Sequence, residues 1–96
     1  MTLAEAAAIV ASSLPLHRGV LEIMHDPHKD TSLSVDAWIR LFDDPTEWPS
    51  PEERAAAIAA NSVWMALWTT DDLTERRVAA SSLPALLVHL AAEVSP

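Results

Sequence analysis

The sequence predicts an all-α domain, a compact orthogonal or bundle-like arrangement of five to six short helices around a central buried helix, and three observations carry that expectation. Half of the 96 residues are hydrophobic, yet there is one Gly, one Phe and no Tyr, an Ala- and Leu-rich composition that favours helices over sheets. Capping patterns recur: Thr2 and Ser50 each stand three residues before a glutamate, Glu5 and Glu53, with Pro51 where a helix needs no N–H. The stretch from Ser50 to Trp68 then stays apolar on nearly every side. Ile58, Trp64, Met65 and Trp68 share one helical stripe while Val63 and Leu67 lie opposite, which marks this segment as the central helix.

The remaining elements follow in order. Leu3, Ala7, Val10 and Leu14 fall on one face of a first helix that Pro15 is expected to break. A second, from about Pro15 to His25, would bury Leu16, Val20, Ile23 and Met24, pair Arg18 with Glu22 outside, and use Gly19 for close backbone approach. His25 to Ser32 reads as a loop, since Pro27 keeps Asp26 out of helical geometry. Ser32 or Ser34 can cap a third helix to Phe42, with Val35, Trp38, Ile39 and Phe42 inward and Asp36 paired with Arg40. After the central helix, Thr70-Asp71-Asp72 would cap a helix to Ser82 that turns Ala79, Ala80 and Leu83 inward. The last helix runs from Pro84 to Glu93, either separate from that one or continuous with it through a kink. Ser-Ser-Leu-Pro occurs at both Ser12–Pro15 and Ser81–Pro84, as reuse of one stop-and-start device.

At this length folding removes roughly 60 to 65% of the unfolded chain's surface from water, enough for one core, so residues 1–96 are expected to form a single domain. No cysteine is present and no apolar run is long enough to span a bilayer, which suits a cytoplasmic, non-membrane protein. Fourteen Asp and Glu against six Lys and Arg give a formal charge of −8. Direct nucleic-acid binding is disfavoured by that balance, because such binders replace counterions with Lys and Arg.

Catalytic motifs are absent: no Gly-x-Ser-x-Gly elbow, no Cys nucleophile and no Gly-rich phosphate loop, so the chain reads as non-enzymatic and cofactor-free. Two polar groupings remain. His25, Asp26, His28 and Asp30 supply ligand types for zinc within one loop, but without convergence from separate elements, and no stoichiometric metal is expected. Asn61 falls inside the apolar stripe of the central helix, where its buried amide needs a partner from a neighbouring helix or across a dimer. His17 and His89 receive no role.

The partner-binding candidates are Asp43, Asp44, Glu47, Trp48, Glu52 and Glu53, on a proline-stiffened stretch with five acids, no base and a Trp outside any helical stripe. That Trp is either an exposed anchor or a lid folded onto the core, and its loss is expected to cost much less stability than loss of Trp64. The functional expectation is a small acidic binding protein, with or without homodimerisation, that regulates or inhibits a protein partner by occluding a basic surface. One form of it is an inhibitor of nucleic-acid machinery of the phage or antitoxin type. The alternative is a small metal- or ligand-binding helical domain that uses the His25 to Asp30 loop.

Overall fold

In the computed structural model, which describes residues 1–17, 21–42, 45–70 and 72–94, the chain is a mixed α/β fold, and the all-α expectation is corrected. The side chains of residues 14–17, 42 and 45 also lie outside the described set, and with them the expected inward positions of Leu14, Leu16, Val20 and Phe42, the Arg18 pairing and the role of Gly19. The described elements are helix α1 (Leu3–His17), strand β1 (Glu22–His25), helices α2 (Val35–Phe42) and α3 (Pro51–Ala60), strands β2 (Trp64–Thr69) and β3 (Glu75–Ala80), and helix α4 (Leu83–Val94). Short 3₁₀ turns at Pro27–Thr31 and Pro45–Glu47 precede α2 and α3. The strands form an antiparallel sheet in the order β1-β2-β3, with His25 opposite Trp64 and Trp64 opposite Ala80.

The expected central helix is two elements. Ser50 starts α3 as read, its hydroxyl accepting from Glu53 N–H at 3.2 Å with Pro51 in the first turn. The helix stops at Ala60 because Asn61 turns left-handed (φ 49°), and the N–H groups of Asn61 and Ser62 close back on the carbonyls of Ile58 and Ala57. That is a Schellman ending with Asn in the place Gly usually takes. Asn61 is thus exposed instead of buried, and its side-chain oxygen accepts from Val35 N–H (2.9 Å) at the open N-terminus of α2. Of α3 only Ala57 is fully buried, so it is not the most buried helix either.

Beyond Asn61, alternation takes over. Trp64, Ala66 and Trp68 face the cluster built by Ala6 and Val10 of α1 and Leu86, Leu90, Ala91 and Val94 of α4. On the opposite face Ala79 of β3 packs with Val35, Ile39, Trp48, Ala57 and Val63. A strand buried on both faces shows a continuous apolar run, which periodicity alone cannot tell from a buried helix.

The other misread segments have similar causes. Pro15 falls within the last turn of α1, so the helix ends one turn later than the expected break; its buried stripe is Ala6, Val10 and Ser13, while Leu3 and Ala7 are exposed. Glu22–His25 is strand, not helix. The expected helix cap is instead where β2 turns back into β3, with its Asp71 outside the described residues: Leu73 takes a left-handed conformation (φ 66°), and the Asp72 carboxylate accepts from the Thr70 hydroxyl and from Thr74 N–H. Those bonds, the Thr70 hydroxyl foremost, hold the Asp72 carboxyl below its usual range. Pro84 sits in the first turn of α4 behind the Ser82 cap, which makes α4 a separate helix. No helix among the described residues is long and apolar enough to cross a membrane.

Candidate functional site

The acidic stretch before α3 is tied to the body of the protein. Glu47 receives a bidentate fork from Arg77 of β3, with Nε and Nη2 at 2.8 and 2.9 Å. Glu53 accepts from Ser81 N–H at 3.1 Å and from its hydroxyl at 2.7 Å. Trp48 between them is 7% exposed and belongs to the core, so the lid reading of this residue matches its position and the free-anchor reading does not. Glu52 is exposed, and Asp43 and Asp44 lie outside the described residues. Of the described candidates, Glu47 and Glu53 are joined to groups on and just beyond β3, about 30 residues ahead, which local sequence patterns do not reveal.

The His25–Asp30 loop divides in two. Asp26 caps the end of β1 in a left-handed conformation (φ 52°), its N–H donating to the Val63 carbonyl at 2.8 Å and its Oδ1 accepting from Val63 N–H at 2.9 Å. Oδ2 meets Lys29 Nζ at 2.9 Å and His25 Nε2 at 3.3 Å. Burial pushes the Asp26 carboxyl up, but Lys29, the Val63 N–H, Ser62 and His25 together outweigh it and hold the group at about 2. The His25 ring stacks on Trp64 with centroids 4.1 Å apart.

Ser62 Oγ lies 3.2 Å from the same His25 Nε2 that meets Asp26. A serine–histidine–aspartate relay needs the acid on the opposite ring nitrogen, so these three residues do not form one. His28 is fully buried, with no hydrogen-bond partner on either ring nitrogen among the described residues. Among those residues no group of three or more His, Asp or Glu is placed to hold a metal ion. His28→Leu is therefore expected to stabilise the fold by about 1–2 kcal/mol, because removing an unpaired buried polar group relieves its desolvation cost. Urea unfolding checks this; a loss of stability would show that the ring is satisfied in solution.

A third feature has no counterpart in the sequence reading. Of the twelve residues of α4 only His89 and Glu93 are polar, and while Leu86, Leu90 and Val94 face the core, Val88 and Ala92 are exposed and Ala85 is partly buried at the edge of the same stripe. That stripe floors an open groove of about 560 Å³. Met1 and Leu3 ahead of and within α1 form one wall, and Pro49 and Glu53 the other. Met1, Leu3 and Val88 are 63, 48 and 37% exposed. The polar groups at its edge are already engaged, Glu53 with Ser81 and His89 Nε2 with the Glu47 carbonyl at 3.2 Å. The sequence signal that was available is the apolar character of α4 on all sides. Comparison with known protein families, curated proteins and solved structures finds no match.

Proposed function

We propose that this protein is a non-catalytic interaction domain that docks a protein partner in the groove between α1, α4 and the Pro49–Glu53 segment, and that its acidic surface steers a basic partner toward it. The observation that supports this reading is the groove itself: large aliphatic side chains left half exposed beside polar groups already satisfied internally. Burying an aliphatic side chain of this kind contributes about 1.5–3 kcal/mol, so Met1, Leu3 and Val88 can act as apolar anchors for a partner. The charge of −8 adds association rate and selects against nucleic acid. Occlusion of a basic surface on the partner is the regulatory outcome, and a cysteine-free chain suits a cytoplasmic setting.

The acidic stretch serves this reading as the groove's wall. Glu47→Gln is consequently a poor probe of steering, since it also breaks the Arg77 fork, whereas exposed Glu52 tests it cleanly. The double variant Leu3→Asp with Val88→Asp is expected to keep the native circular dichroism and to lose at least one protein that the unaltered chain retains from extract of its source cell. Retention of that protein should also weaken as salt rises. An identical set of retained proteins for both chains would sink the proposal.

A further inference from the structure

Resting on the groove reading, we infer that the occupant is an amphipathic helix with a leucine-type stripe and basic flanks, in preference to an extended peptide or a second copy of this chain. The groove is walled by helices and by a proline-bearing segment, with no strand edge among its lining residues. An extended peptide laid there would lose water from its amide groups without finding backbone partners, whereas a helix satisfies its own. The floor repeats at Ala85, Val88 and Ala92, two turns of α4, and the small side chains at its ends let a second helix approach closely. Charge selects the flanks: Glu52 stands exposed beside the wall residue Glu53 in a chain of net charge −8, which attracts Lys and Arg and repels another copy of itself.

The test uses the full chain and three synthetic peptides of about five helical turns. The first has leucines at i, i+3, i+4 and i+7 and lysines elsewhere, the second is the same sequence with two lysines replaced by proline, and the third replaces lysine by glutamate. Binding is followed by fluorescence anisotropy and by the amide resonances of Ala85 to Ala92. The lysine helix is expected to bind, to shift those resonances, and to bind Val88→Asp at least about tenfold more weakly. Leu41→Asp, altered at a residue 66% exposed on α2 and not lining the groove, should bind as the native chain does. Equal binding of the proline-broken peptide, or a preference for the glutamate helix, overturns the inference while leaving a groove that binds peptide. A concentration-dependent dimer abolished by Val88→Asp also overturns it and names a second copy as the occupant. If no peptide binds and Val88→Asp changes neither self-association nor retention from extract, both the inference and the groove reading fail.

Discussion

Trp48→Ala is expected to lower the stability of the fold by about 3–5 kcal/mol, the range for removing a large aromatic from a packed core. Trp48 is 7% exposed and shares a cluster with Val35, Ile39, Ala57, Val63 and Ala79, so it joins α2, α3 and the sheet. Trp64, by contrast, is only partly buried, and one face of its ring is covered by His25, itself 48% exposed at the side chain. Its loss is expected to cost about 2 kcal/mol, since the surrounding surface can rehydrate. The order is the reverse of the sequence expectation. Denaturant unfolding of the two variants decides it: equal losses, or a greater loss at Trp64, would mean that Trp48 does not hold the second cluster together.

The elements that the sequence specified correctly are those written in local chemistry. Thr2 caps α1, its hydroxyl accepting from the Glu5 N–H and donating to the Glu5 carboxylate, both at 3.1 Å. Ser34 accepts from Ala37 N–H to open α2, Ser50 opens α3, and Asp36 pairs with Arg40 at 3.0 Å. What was missed depends on residues that turn the chain without glycine. Asp26, Ser32, Asn61 and Leu73 all take positive φ, a conformation that favours glycine: Asp26 follows β1, Leu73 lies in the hairpin, and Asn61 and Ser32 end helical segments. With a single Gly in the chain, the turns at Asn61 and Leu73 carry no glycine signal. Once those stops are invisible, Trp64–Thr69 and Glu75–Ala80 join the neighbouring apolar runs and read as helix.

The site was less legible than the fold for a related reason. Carboxylates before α3 suggested an open acidic surface, but the groups that occupy two of them, Arg77 and Ser81, come from the far end of a hairpin whose existence the sequence concealed. The groove likewise needs Leu3, Pro49 and Val88 brought together from three parts of the chain. Only the composition of α4, apolar on its outward as well as its inward side, was visible beforehand.

Asp26 gives the second large effect and the clearest pH dependence. Its carboxyl is held at about 2 in the folded protein against an ordinary value of 3.8, so the folded state prefers the ionised form. The stability from that preference is present above about pH 4 and is lost as pH falls through 3.8 toward 2. The full difference corresponds to about 2 kcal/mol; because Lys29 and His25 are 64 and 48% exposed, solvent screening reduces the expected loss to about 1–2 kcal/mol. Asp26→Asn keeps an oxygen for the Val63 N–H but removes the charge, so it should be less stable at neutral pH and should lack this share of the acid-side decline. Asp26→Ala removes the acceptor as well, leaves the Val63 N–H unpaired at the junction of α3 and β2, and is expected to cost about 3 kcal/mol. Unfolding free energies of the native chain and both variants between pH 2 and pH 7 test the assignment. A native chain whose decline below pH 4 matches that of Asp26→Asn would show that the Lys29 and Val63 contacts do not favour the ionised carboxylate.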